Sequence, residues 1–160
     1  MTYAKSLKHG RTIFGVAAAG LIATAAWAST GSGVTGATPL VTANLPGPIE
    51  GNHDRVKFQT KDPTVVRVQS LTFAANSRSG WHHHPGIVIV AVQSGLVTLT
   101  DANCGSITYG PTSLNGSVFV ERSDEANEAS SVAGAVVYAT YIVPNVTPLR
   151  FRLEDDARSC

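Results

Sequence analysis

The segment Gly80-Trp81-His82-His83-His84-Pro85-Gly86 places three consecutive histidines beside a Pro-Gly turn, and an apolar run from Ile87 to Val92 follows it. Side chains alternate along an extended strand, so His82 and His84 share one face while His83 points the other way. Two neutral imidazoles aimed into one cavity make half of a transition-metal site. The other half must come from elsewhere in the chain. No nucleophile with a neighbouring base can be picked out, so acyl transfer through a Ser-His-Asp arrangement has no support. His53 lies in the polar stretch Gly51-Asn52-His53-Asp54, where a surface role is the default.

The elements that must position these histidines read as short strands separated by turns. Strands are expected over 55–59, 64–73, 81–84, 87–92, 96–100, 106–109, 117–121 and 135–143, with 149–153 closing the sheet. Ala75-Asn76-Ser77 is expected to turn the long 64–73 strand, and Gly95 suits a tight hairpin where φ is positive. Residues 124–133 are rich in Glu and Ala but lack an apolar stripe at helical spacing, so they read as loop and strand. Short strands with Gly, Pro and Asn at regular intervals indicate an all-β sandwich or barrel. Val88, Val90 and Val92 alternate on the face that continues from His82 and His84, and would line a pocket polar at its histidine end. They would equally serve as ordinary barrel core.

The two ends bound the compartment and the domain. Lys5, Lys8, His9 and Arg11 precede an uncharged, Ala-rich run from Ile13 to Trp27, and Ala26-Trp27-Ala28 offers a small-x-small cleavage site. That order of parts is a secretory signal peptide over 1–28. Its apolar run of about 15 residues falls short of the ~20 that span a bilayer. The expected product is secreted or extracytoplasmic, with a flexible linker over 29–45 and one β-barrel domain over 46–160. Cleavage leaves nine Lys and Arg against eleven Asp and Glu, turning a formal charge of +1 slightly negative. No basic patch remains, which argues against nucleic acid, and nothing later in the chain is apolar enough for stable membrane insertion. The two cysteines, Cys104 and Cys160, are an even count in an oxidising compartment and suggest a disulfide. In the chain-entropy picture such a bridge stabilises by about 4 kcal/mol.

At the histidines the sequence resembles the cupins, small jelly-roll β-barrels that often hold one metal ion. Their first motif sets a Gly six residues before a His-x-His pair, a Glu three or four residues after it, and a closing Gly. Here the pair is His82 and His84, and the closing Gly is Gly95. The leading Gly falls on Asn76 and the Glu on Val88, which cannot bind a metal. Starting the second motif at Gly116 places its members on Arg122, Asp124, Asn127 and Ser131, so the third metal-binding His has become Asn127. The likeness spans roughly residues 55 to 145.

The resemblance implies a double-stranded β-helix, or jelly roll, with a pocket inside. It implies a site for a divalent iron, manganese, nickel, copper or zinc ion in which two of the four usual ligands are kept. Asn127 offers only a neutral amide oxygen. Glu121, at the end of the 117–121 strand, could turn inward as a replacement carboxylate. Two readings stay open. One is an exported domain that binds a small molecule through His82 and His84, with a weakly held metal. The other is a metal-dependent enzyme of the cupin dioxygenase or isomerase type using His82, His84 and Asn127 or Glu121. A homodimer could form through edge strands, the 64–73 strand being long enough to pair, and a solvent-facing Trp81 would be a natural partner-facing residue.

Overall fold

A computed structural model of the chain describes residues 31–36, 39–155 and 160. The leader expected over 1–28 lies outside the described residues. Thirteen strands follow one another among those described: β1 (Ser32–Thr35), β2 (Pro39–Leu45), β3 (Glu50–His53), β4 (Val56–Gln59), β5 (Thr64–Arg78), β6 (His82–His83), β7 (Ile87–Gly95), β8 (Val97–Asp101), β9 (Ser106–Tyr109), β10 (Val118–Glu121), β11 (Asn127–Ser131), β12 (Ala135–Pro144) and β13 (Leu153–Glu154). No described helix is long and apolar enough to cross a membrane.

All ladders are antiparallel, and eleven strands form one nearly closed, barrel-like sheet; β3 and β4 make a separate ribbon. One side of the barrel runs β10-β7-β12-β5, and the other runs β9-β8-β11-β6-β13. The fifteen-residue β5 joins them. Most of its length pairs with β12, while Ser77 and Arg78 at its end pair with β11. Asn76 sits inside this strand at φ 57°, so the expected turn at 75–77 is instead a local kink that carries β5 across. Asn tolerates that left-handed backbone better than other non-glycine residues.

Alternation decides what faces inward. In β7 Val88, Val90 and Val92 are buried while Ile87 and Ile89 are exposed, although the sequence there is apolar throughout. β12 buries Val137, Ala139, Tyr141 and Val143 in the same rhythm. The expected strand between 124 and 133 is β11.

Four expectations need correction. The stretch 29–45, read as a flexible linker from its small polar residues, carries β1 and β2, both laddered onto β5. Backbone pairing with a long neighbour outweighs composition there. β5 is for the same reason no free edge: β12 and then β11 flank it on one side and β2 and β1 on the other, so it cannot pair with a second copy. Gly95 is not a hairpin, since β7 and β8 do not pair with each other. It is a corner at φ 75° where an added Cβ would lie 2.1 Å from the Gly134 carbonyl oxygen. Trp81 is buried rather than partner-facing.

Candidate metal centre

β6 delivers the histidines. His82 and His84 are 4% and 2% exposed, and both line a cavity of about 410 Å³ inside the barrel. His83 points away, as alternation requires, and its Nδ1 pairs with Asp155 Oδ2 at 2.5 Å. Each cavity histidine is aimed by a backbone carbonyl. His82 Nδ1 donates to the Gly80 oxygen at 2.8 Å, and His84 Nδ1 donates to the Phe151 oxygen at 2.5 Å. A carbonyl only accepts, so each Nδ1 carries a proton, and each ring turns its Nε2 toward the cavity. This is the outer-shell arrangement that orients metal-binding histidines.

The carboxylate comes from β10. Glu121 is 6% exposed, with Oε2 at 2.7 Å from His84 Nε2 and 3.8 Å from His82 Nε2. Despite the short contact, the geometry gives His84 Nε2, which is buried, no well-formed hydrogen-bond partner. Three donor atoms thus converge within 4.8 Å of one another. Two imidazole nitrogens and a carboxylate crowded together in a dry interior form a site that a cation would suit. Two imidazoles and one carboxylate suit a first-row divalent ion, with coordination positions left open. The His82-His84-Glu121 group could hold a metal.

Register explains where the carboxylate stands. In the β10–β7 ladder Glu121 is the direct partner of Val88, the position where the sequence motif lacks its Glu. Directly opposed residues of an antiparallel pair project from the same face about 5 Å apart. Glu121 therefore stands one strand over from Val88, and its carboxylate reaches the histidines.

Electrostatics keep the donors in binding form. Burial is the main cause that pushes His82 down to about 4; Arg152 and His84 add to it, while Glu121 and the Gly80 carbonyl oppose it. Burial would raise the Glu121 carboxyl, but His84, His82 and Arg152 outweigh it and hold it below the usual range. The His82 shift has a stability consequence. Its pKa is lower folded than unfolded, so between pH 6.5 and 4 the unfolded chain binds the extra proton. Stability is then full above pH 6.5, and about 3 kcal/mol of it is lost as pH falls to 4. Denaturant unfolding of metal-free protein across that window should show the slope, and a His82→Leu variant should lose most of it. A flat wild-type profile would contradict a neutral buried His82.

Around the donors the cavity is lined by Val88, Val90, Phe73, Phe119, Val137 and Leu71, among others. Val92 belongs to the packed core and does not reach it. Asn127 is the cross-strand partner of His82 and is buried, but it does not line the cavity. Its Nδ2 donates to the Glu125 carbonyl at 3.4 Å, and its Oδ1 has no hydrogen-bond partner. Cys104 and Cys160 form a disulfide. Asp101 caps the β8–β9 turn through Oδ1, which accepts from the amides of Asn103 and Gly105. His53 is exposed on β3.

The barrel is one nearly closed antiparallel sheet with an inward His-x-His pair and a facing carboxylate. The chain has a cupin-like β-barrel fold. Similar solved structures include a cupin superfamily protein from Desulfitobacterium hafniense, at 11% identity and a TM-score of 0.44 over 68% of this chain and 84% of that one. A protein from Neisseria meningitidis matches at 16% identity and 0.41, over 58% and 80%. A salicylate 1,2-dioxygenase from Pseudaminobacter salicylatoxidans matches at 13% and 0.40, over 47% of this chain and only 20% of the enzyme. No family model matches the sequence, and no curated protein does.

Several residues of this cavity escaped the sequence reading. Tyr141 is buried in the wall, where its hydroxyl oxygen accepts from Gln69 Nε2 at 2.9 Å and its ring stacks edgewise on His84 at 5.5 Å. Burial raises its pKa, so the phenol keeps a proton to donate. The alternation of Val137, Ala139 and Tyr141 carried the signal for it. Arg150, Phe151 and Arg152 also line the cavity, and nothing local in the sequence marks them.

Proposed function

We propose that this protein is an exported cupin that holds a divalent transition metal through His82, His84 and Glu121 and uses it to bind a small organic anion with an apolar body. The convergence of three buried donor atoms, with His84 Nε2 left without a hydrogen-bond partner, carries the metal half of this reading. Charge supports the ligand half. One carboxylate leaves a divalent ion with an unbalanced positive charge in an apolar cavity, and a bound anion would offset it.

The cavity walls support the same ligand class. Arg152 is held by Glu154 through a two-pronged ion pair, whereas the exposed Arg150 at the cavity has no ion pair among the described residues. Tyr141 offers a hydroxyl proton. The valine and phenylalanine lining suits a hydrocarbon body, and about 410 Å³ is ordinary for a small-molecule site. Export rests on the leader reading of residues 1–28.

Three protein ligands leave open positions that support Lewis-acid or oxygen chemistry when a metal is bound. An enzyme of the dioxygenase or isomerase type is therefore the second reading. Metal analysis after loading with iron, manganese, nickel, copper or zinc tests the first step. One equivalent is expected, and none in a His82→Ala/His84→Ala variant. Calorimetry of the loaded protein with benzoate and with benzamide then tests the charge argument: the carboxylate should bind at least tenfold tighter, and Arg150→Gln should narrow the gap. Equal binding of the two would remove the anion preference, and turnover of the carboxylate would favour the enzyme.

A further inference from the structure

The segment after β12 packs against the histidine motif. β6 is two residues long and meets β11 through one residue pair, Asn127 with His82. Its other edge is covered by β13, which pairs Leu153 with His83 and Glu154 with His82. Around this ladder the same segment reaches nearly every residue of the histidine motif. The Phe151 carbonyl accepts from His84 Nδ1, and Asp155 accepts from His83 Nδ1 while its amide donates to the Trp81 carbonyl at 3.1 Å. Arg152 Nη2 donates to the Ser79 carbonyl at 2.8 Å. The Phe151 ring is 4% exposed and lies beneath the Arg67 guanidinium at 3.5 Å. Residues 149–152 and Glu154 also form one wall of the cavity.

Two ladder pairs are weak restraint by themselves, because segments with few hydrogen bonds open locally. Here a covalent tie exists. Cys160 is bonded to Cys104 in the β8–β9 turn, 56 residues earlier. That turn lies beyond β8 and β11 in the order β8-β11-β6-β13, so the bridge joins the edge strand to the far side of the half-barrel that carries the histidines.

We propose that residues 149–155 are a clamp that aims His84 at the metal and closes the cavity, and that the Cys104–Cys160 disulfide makes metal affinity depend on thiol redox state. A dithiol reductant would pass two electrons and two protons to the two sulfurs, becoming a disulfide itself. Residues 149–155 are then held by their short ladder and side-chain contacts alone, so the Phe151 carbonyl fixes the His84 ring less firmly and the cavity wall loosens. Loss of an outer-shell partner of this kind weakens metal binding about 10- to 100-fold. Phe151, Arg152 and Asp155 are positioning residues in this scheme; none supplies a ligand atom.

The clamp rests on the metal reading above, so its test has one readout with metal and one without. Cobalt(II) is titrated into the full-length wild type and a Cys104→Ser/Cys160→Ser variant, which avoids new thiol ligands. The variant should remain folded by circular dichroism, bind cobalt at least tenfold more weakly, and show an altered visible d–d spectrum. Asp155→Ala, with the disulfide intact, should move both in the same direction by less. In metal-free protein, diethylpyrocarbonate labelling mapped by mass spectrometry should find His84 protected in wild type and reactive in the Cys→Ser variant. Equal cobalt affinity and spectrum in a folded variant would overturn the clamp. If wild type takes up no cobalt the metal reading falls, and the labelling alone decides: unchanged protection of His84 would sink the clamp as well.

Discussion

Glu121→Gln is expected to lower divalent-metal affinity by roughly a hundredfold or more, since even outer-shell changes cost up to that much. The substitution keeps shape and burial but removes the only carboxylate in the donor group, and a neutral amide cannot balance a divalent ion in an apolar interior. Thermal or denaturant unfolding with metal present reads the effect. At a metal concentration 100 times the wild-type Kd, linkage stabilises the wild type by about 2.7 kcal/mol, and a hundredfold weaker variant by only about 0.4 kcal/mol. The metal-free proteins should differ much less, because glutamine fits the same space. A variant stabilised by metal as strongly as wild type would remove Glu121 from the site.

How much of this was legible depends on the range of the information involved. The pairing of His82 with His84 is a local fact: two residues apart on a strand is one face, and both rings point inward. Tyr141 was equally readable from the rhythm of β12. Glu121 was not. Val118-Phe119-Val120-Glu121 is apolar up to its last residue, so hydrophobicity does not say which face is inside; the structure buries Phe119 and Glu121. That Glu121 opposes Val88 is a matter of register between strands roughly 30 residues apart in sequence, set by packing of the whole barrel.

The tail shows the same limit more severely. Phe151, Arg152 and Asp155 come from a segment with two laddered residues, and only its fold-back onto β6 makes them part of the site. Asn127 erred in the opposite direction. Its place in the motif suggested a ligand, yet although it opposes His82 across the β11–β6 ladder it is not among the residues that line the cavity. The linker reading of 29–45 failed because small polar residues can still donate and accept backbone hydrogen bonds to a neighbour as long as β5.

Because Glu121 stands directly opposite Val88, it should be possible to move the carboxylate across the ladder. Glu121→Val alone is expected to abolish metal binding, and adding Val88→Glu should restore it to within about tenfold of wild type, because opposed residues project from one face about 5 Å apart. Val88 is 1% exposed and already lines the cavity, so a Glu there reaches the same space from β7. Val88→Glu with Glu121 retained separates geometry from charge. Two buried carboxylates side by side raise each other's pKa, so the metal-free form of that variant should be less stable than the swapped protein, and more so at pH 8 than at pH 5. Added metal should recover much of the difference by neutralising both. A swapped protein that folds but binds no better than Glu121→Val would mean that the β10 register, and not the face shared with Val88, is what places the carboxylate.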